Sequence, residues 1–216
     1  MLKLHGVALS NYYNIVKQAM LEKGIAFEEI TAPPSQDASF LTKSPMGKIP
    51  CLETPEGFLS ESLAIIEYLE ETHPTPSLLP GDAYQRAKTR EIIKYAELYL
   101  DGPARRLLGH VIFGAPLPQQ AFDEVRPALE KNLTALKRIA RFEPWVAGTE
   151  FSLADIALLH IMGLVLAIIK PVYDWDILAQ EPELANWMQR AAAREHSLTV
   201  LAAQKKVREA MMAKQA

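Results

Sequence analysis

An α/β N-terminal domain followed by an all-α domain is the fold class that this sequence predicts. Three observations predict it. The chain opens with a strand pattern, a helix pattern and a second strand pattern in one short run. Two short apolar segments around the turn Pro55-Glu56-Gly57 then read as a β-hairpin that leads directly into a helix. After Asp82 no strand signal returns, and apolar residues recur only at helical spacing.

The elements follow in order. Residues 2–5 alternate as a short strand closed by Gly6. Ser10 and Asn11 read as a helix N-cap, and Tyr12, Ile15, Val16, Ala19 and Met20 share one helical face that stops at Gly24. Residues 26–30 form the next strand, and a βαβ unit makes these two strands parallel. Residues 31–36 are polar and proline-rich, a loop, and a brief helix spans 39–42. Pro50 opens the first hairpin strand, where its missing N–H does least harm. The strands cover 51–54 and 58–60, and Leu63, Ile65, Ile66, Tyr68 and Leu69 repeat at helical spacing after them. Glu61 and Ser62 therefore occupy a strand-to-helix corner, where free N–H groups and the helix dipole suit a carboxylate-bearing ligand. A parallel βαβ unit, an antiparallel hairpin and a helix, in that order, make a thioredoxin-like domain.

The second half is helical throughout. Prolines and a glycine between Pro74 and Gly81 mark a linker. Residues 84–108 carry a long helical pattern with Ile92, Ile93, Ala96 and Leu100 inward, which Gly102-Pro103 should kink or split. Residues 114–118 break the chain again. Leu129, Leu133, Leu136 and Ala140 mark a further helix, with Pro127 near its start. Ser152 and Asp155 form a capping box, and Phe151 and Ile156 are placed as a hydrophobic staple. Residues 156–169 run apolar on all sides; the stretch falls short of the ~20 residues a membrane span needs and reads as a core helix. Pro182 starts a helix with Leu184, Trp187, Met188 and Ala191 inward. The tail from Ala202 onward is charged and is expected to fray or lie on the surface.

Composition narrows the function. The chain has 216 residues, of which 49% are hydrophobic and 23% charged, ordinary values for a globular protein with real cores. The net charge of −3, with no basic block, argues against nucleic acid as partner. Cys51, the single cysteine, can make neither an internal disulfide nor a zinc cluster, and fits a reducing cytoplasm. The N-terminus lacks the apolar core of a signal peptide. The histidines His5, His73, His110, His160 and His196 show no metal-ligand spacing, and His160 reads as a core residue.

Pro45-x-Gly47-Lys48-Ile49-Pro50, followed by Glu61-Ser62-x-Ala64-Ile65-x-x-Tyr68-Leu69, resembles the glutathione site of the cytosolic glutathione S-transferases. One departure is Glu67, where many members carry Arg, a turn beyond the ligand corner. The resemblance is to bacterial members of the serine type, and it implies the rest of the expectations. Residues 1–77 would form the glutathione-binding domain, 78–85 a linker, and 86–216 a helical domain contributing the electrophile pocket. Pro50 would be cis, Ile49 would offer backbone bonds to the cysteinyl part of glutathione, and Glu61 and Ser62 would hold its γ-glutamyl end. Lys48 either pairs with the glycyl carboxylate or is a solvated loop lysine. Ser10 stands where serine-type enzymes carry the hydroxyl that stabilises the glutathione thiolate; as a bare local pattern it reads as a helix cap, and the Pro50 and Glu61-Ser62 motifs favour the thiolate role, with Asn11 and Tyr12 as other possible donors. Cys51, inside a strand, reads as a small buried residue rather than a nucleophile. The implied activity is conjugation of glutathione, as co-substrate and without a metal, to small hydrophobic electrophiles by a cytoplasmic homodimer. The alternatives are a non-catalytic binding or regulatory protein of the same fold, and an isomerase of the maleylacetoacetate type, whose Ser-Ser-Cys motif Leu9-Ser10-Asn11 does not match.

Overall fold

The structure, a computed structural model, describes residues 1–213. The chain divides into two compact units: Met1–Leu78 together with the segment from Ala192 onward, and Leu79–Ala191.

The first unit holds β1 (Leu2–Gly6), α1 (Asn11–Glu22), β2 (Phe27–Thr31), α2 (Ala38–Leu41), β3 (Cys51–Thr54), β4 (Gly57–Ser60) and α3 (Ser62–Thr72). The four strands lie in the order β2-β1-β3-β4. β1 pairs parallel with β2 and antiparallel with β3, and β3 pairs antiparallel with β4, which is the expected topology. The central strands bury Leu4 and Leu52 completely, and α1 and α3 pack together with Val16, Met20, Ile65, Ile66 and Leu69 buried. Each such side chain contributes about 1.5–3 kcal/mol by leaving water.

Tyr13, not Tyr12, is the buried tyrosine of α1; it is 2% exposed and Tyr12 only half-buried. The reason lies across the sheet end. Gly6 has no side chain where the Tyr13 ring sits, and a Cβ there would come within 2.2 Å of the ring. Tyr13 Oη then donates to Glu29 on β2 at 2.5 Å, and Lys17 Nζ reaches the same carboxylate at 2.8 Å. Burial and the Glu29 carboxylate together push the Tyr13 pKa far up, so the phenol stays protonated.

The C-terminal segment forms α11 (Glu195–Ala213), a helix rather than a frayed tail, although most of it beyond Ala202 is exposed. Residues 214–216 of that expectation lie outside the described residues. α11 packs on α1, where Gln18 Nε2 donates to Ser197 Oγ at 2.8 Å and Arg194 Nη2 to Glu22 at 2.8 Å. The fully buried Lys23 ammonium at the end of α1 donates to Glu70 on α3 at 2.6 Å and to the Pro76 carbonyl at 2.7 Å.

The second unit is helical: α4 (Ala83–Tyr95), a π-helical segment (Ala96–Asp101), α5 (Gly102–Arg105), α6 (Leu108–Phe113), α7 (Gln119–Ile139), α8 (Leu153–Tyr173), α9 (Ile177–Gln180) and α10 (Pro182–Ala192). The expected break at Gly102-Pro103 takes a specific form. Gly102 N–H bonds the Glu97 carbonyl, a five-residue step, and Pro103 has no N–H for the carbonyl of Tyr99. Asn132 on α7 supplies the missing donor, Nδ2 to Tyr99 O at 2.7 Å, while Tyr95 Oη donates to the Asn132 carbonyl at 3.1 Å. α7 begins eight residues before Pro127, earlier than expected. Its buried stripe Ala121, Val125, Leu129 runs past the proline, which sits on the exposed face, where water can take the freed carbonyl.

α8 is 21 residues long, not the shorter stretch that the apolar run suggested, and by length and composition it could cross a membrane. Burial identifies its place instead: 72% of its apolar window lies inside the fold, packed against α4, the π-helical segment, α5 and α6. His160 on α8 is buried, and desolvation pushes its pKa down to about 3, so it is a neutral core imidazole. The capping box at its start is present, and the Phe151 ring meets Trp145 edge to face at 5.0 Å. Asp155 does more than cap. It accepts from Val146 N–H at 2.9 Å, Ser152 N–H at 3.0 Å, Ser152 Oγ at 3.1 Å and Trp187 Nε1 at 2.8 Å.

Asp155→Ala strands those buried donors. Each costs about 1–3 kcal/mol without an acceptor, so the variant should lose about 3 kcal/mol or more of stability. Urea unfolding followed at the tryptophans measures this. A midpoint near that of the wild type would mean that water replaces the carboxylate.

Candidate functional site

Strand register brings the candidate residues to one end of the sheet. His5 on β1 pairs with Cys51 on β3, and Cys51 pairs with Ser60 on β4. Beyond that row the chain leaves the sheet three times: into the turn at 7–10, through Ile49 and Pro50, and into Glu61 and Ser62. Ser10, Asn11 and Tyr12 follow the first exit, Lys48 precedes the second, and α3 starts at the third.

Residues 7–10 are a turn closed by Ser10 N–H on the Val7 carbonyl at 3.0 Å. Ser10 has extended backbone and caps α1: its Oγ accepts from Tyr13 N–H at 3.3 Å. A hydroxyl can accept and donate together, so this cap uses a lone pair and leaves the O–H proton uncommitted. Ser10 is half-buried, whereas Asn11 is only 2% exposed and Tyr12 is half-buried.

The Ile49-Pro50 peptide is cis. The loop before it is tied down at several points. Gly47 has φ +64°, and a Cβ there would lie 2.2 Å from the Ser35 carbonyl oxygen. Only glycine fits both demands. Ser35 N–H bonds Gly47 O at 3.0 Å, Gln36 Nε2 bonds Met46 O at 3.2 Å, and Ser44 Oγ accepts Lys48 N–H at 3.2 Å. Sequence reasoning missed Ser35, Gln36 and Ser44; Ser35 and Gln36 lie in the preceding polar loop, and only folding brings them to the Gly47 turn. Among the described residues nothing accepts the Ile49 N–H, and Lys48 is exposed.

Glu61 carries φ +69°, unusual for a residue with a side chain, and does not cap α3 with its carboxylate. The N–H groups of Ser62, Leu63 and Ala64 are the helix's first, and such groups have no intrahelical acceptor. Ser62 is 8% exposed, and its hydroxyl has no partner among the described residues. Uncapped N–H groups, a free hydroxyl and the positive end of a helix dipole suit a carboxylate.

Cys51 is fully buried, and its Sγ donates to the Lys43 carbonyl at 3.2 Å. Burial pushes its pKa up to about 11, so it is a neutral thiol at physiological pH and no nucleophile. His5 is committed to Glu53, with Nε2 and Oε2 2.9 Å apart. No group of His, Cys, Asp and Glu able to hold a metal occurs among the described residues.

A four-stranded thioredoxin-like sheet with uncommitted donors at one end, in a chain whose second unit is all helix, defines the two-domain thioredoxin-like class. Comparison with known proteins narrows this. Residues 4–77 match the family "Glutathione S-transferase, N-terminal domain", and residues 105–195 match "Glutathione S-transferase, C-terminal domain". A glutathione S-transferase of Pseudomonas putida is 41% identical over 94% of this chain and 92% of its own. The maleylacetoacetate isomerase of Rattus norvegicus is 32% identical over 66% of this chain and 68% of its own. Among solved structures, a glutathione S-transferase of Rhodospirillum rubrum covers 93% of this chain and 92% of its own at TM-score 0.76 and 27% identity. One of Methylobacterium radiotolerans, in complex with glutathione sulfonate, covers 92% and 93% at TM-score 0.76 and 27% identity. The chain belongs to the glutathione S-transferase family and is by that membership a glutathione transferase.

Proposed function

We propose that this protein conjugates reduced glutathione to small hydrophobic electrophiles, a detoxifying activity, with Ser10 stabilising the glutathione thiolate. One observation carries the reading: the Ser10 hydroxyl accepts from Tyr13 N–H and keeps its own proton to donate, at the sheet end shared with Ile49, Pro50, Glu61 and Ser62. Cap and thiolate donor are therefore compatible roles for one side chain. The greater exposure of Ser10 supports it over Asn11. The Methylobacterium relative, solved with glutathione sulfonate, supports a glutathione-shaped ligand.

In this reading the open Ile49 N–H bonds the cysteinyl part of the ligand. Ser62 and the first N–H groups of α3 take the γ-glutamyl carboxylate, and Glu61 faces the γ-glutamyl ammonium. Lys48, exposed and within reach of solvent, pairs with the glycyl carboxylate. A hydrogen bond donated to sulfur favours the charged form, so the glutathione thiol falls below its usual value of about 8.5 and loses its proton to solvent. The N-terminus of α1 adds to the effect. The thiolate then forms a carbon–sulfur bond with the electrophile, and the leaving group departs with the displaced electron pair.

The reading extends to a homodimer in the cytoplasm. Closed two-fold dimers are the commonest oligomers, and a lone reduced cysteine fits that compartment. Light scattering should give twice the 24.1 kDa monomer mass, and a monomer mass at micromolar concentration refutes the dimer.

Ser62→Ala removes a bond made equally in ground and transition states, so KM for glutathione should rise about ten- to a hundredfold with kcat nearly unchanged. Steady-state kinetics with glutathione varied decides this. A fall in kcat at constant KM would place Ser62 near the reacting sulfur instead.

Ser10→Ala tests the central claim. Loss of the cap costs about 1 kcal/mol, which leaves the protein folded. Loss of the donor raises the pKa of bound glutathione, and each unit is a tenfold loss of thiolate below that pKa, about 1.4 kcal/mol. The rate near neutral pH should therefore fall, with the pH–rate profile displaced upward. Thiolate absorbance of the glutathione complex against pH gives the shift directly. A midpoint equal to that of the wild type would leave Ser10 a helix cap and turn attention to Asn11 and Tyr12.

A further inference from the structure

Asn14 lies in the first turns of α1 and is completely buried, 0% exposed. Its two ends are treated differently. Nδ2 donates to the Ala8 carbonyl at 2.9 Å, while Oδ1 is buried with no hydrogen-bond partner among the described residues. The orientation is fixed by chemistry, because a backbone carbonyl only accepts and the amide NH2 must face it. A buried acceptor without a donor destabilises a protein, and an apolar side chain of similar size would avoid that loss. What the amide supplies in return is the bond to Ala8.

Ala8 is the second residue of the turn that delivers Ser10. That turn has three backbone anchors. Ser10 N–H closes it on Val7 O at 3.0 Å; Asn14 N–H takes Ser10 O at 3.0 Å; Asn14 Nδ2 takes Ala8 O at 2.9 Å. Two of the three come from Asn14. The fourth bond, Tyr13 N–H to Ser10 Oγ at 3.3 Å, sets the hydroxyl on the turn so held. Without the side-chain anchor, the Ala8 peptide is free to rotate, and Ser10 Oγ is no longer held at one place over the sheet end.

We propose that Asn14 is a positioning residue for thiolate stabilisation: its buried side-chain amide braces the turn at residues 7–10 and so fixes where the Ser10 hydroxyl stands. The proposal rests on the reading of Ser10 as thiolate donor. Asn14 has no hydrogen bond to Glu61 or Ser62 among the described residues, so glutathione affinity should not depend on it.

The test compares wild type, Ser10→Ala, Asn14→Leu, Asn14→Ala and the Ser10→Ala/Asn14→Leu double variant. Asn14→Leu fills the space and removes the unpartnered Oδ1, leaving the Ala8 carbonyl without its donor; Asn14→Ala is small and favours helix, and thermal unfolding verifies that the variants are folded. The thiolate titration of bound glutathione should move upward by about half to one pH unit in each Asn14 variant, and kcat below that midpoint should fall about three- to tenfold. KM for glutathione should stay within about twofold. The double variant should titrate like Ser10→Ala alone, because a residue acting through Ser10 adds nothing once the hydroxyl is gone. If Ser10→Ala shifts the midpoint and the Asn14 variants do not, the proposal is overturned and the reading of Ser10 stands. Additive shifts in the double variant also overturn it. If Ser10→Ala itself shifts nothing, the Ser10 reading falls and this proposal with it.

Discussion

The antiparallel pairing of β1 with β3 is the constraint on which the first unit depends. β1 has β2 on its other side, and β3 has β4, so this one seam joins the βαβ half to the hairpin half. Its register sets His5 against Cys51, and through Cys51 sets Ser60 in the same row. A slip of one residue would turn every side chain of the moved strand to the other face, exposing Leu4 or Leu52. The hydrophobic core thus enforces the register, and the register decides which peptide groups meet at the sheet end. Burial of side chains far from the Glu61-Ser62 corner is in this sense the cause of the geometry at the sheet end.

Much of this was legible in the sequence because the first unit is punctuated. Gly6, Gly47, Pro50 and the Pro55-Glu56-Gly57 turn each mark a change of direction, and the strands between them have room for only one register. The places where reading failed are places where packing overrides local pattern. Tyr12 and Tyr13 are indistinguishable by helical periodicity; the hole left by Gly6 across the sheet end selects Tyr13. The proline in α7 reads as a helix start, yet it is accommodated on the exposed face while the buried stripe runs past it. The charged tail reads as frayed, yet Gln18 and Arg194 attach the start of α11 to α1. Asn14 was invisible for a related reason: a polar residue near a helix start is assigned outward unless its partner, here a carbonyl six residues back, is known.

Charged groups in the first unit serve shape. Lys17 and Tyr13 converge on Glu29, which their hydrogen bonds hold ionised at lower pH than an isolated carboxylate, against the desolvation that opposes it. Lys23 and Glu70 form a buried pair whose carboxylate also takes Ser77 Oγ at 2.9 Å and Leu78 N–H at 3.0 Å. Buried pairs of this kind gain little net stability over apolar packing, because desolvation offsets the attraction. Their worth is directional: a wrong path for the chain after α3 would leave an ammonium buried alone.

The contrast between these saturated clusters and the sheet end is what supports the proposed site. In the second unit Asp155 gathers four donors, and even the carbonyl that Pro103 deprives of its partner is taken by Asn132. Folding alone therefore satisfies most of the buried polar groups among the described residues, Asn14 Oδ1 being an exception. At the sheet end it does not: Ile49 N–H, the Ser62 hydroxyl and the Ser10 O–H proton all lack a protein partner among the described residues. The backbone at Glu61, beside them, is held at a positive φ that favours glycine. Open donors gathered at one end of the sheet are what a preorganised ligand site requires. In the proposed site, donors already aimed need no reorganisation when the charged sulfur arrives, which is how they would hold a thiolate that bulk water, for all its polarity, leaves protonated at neutral pH.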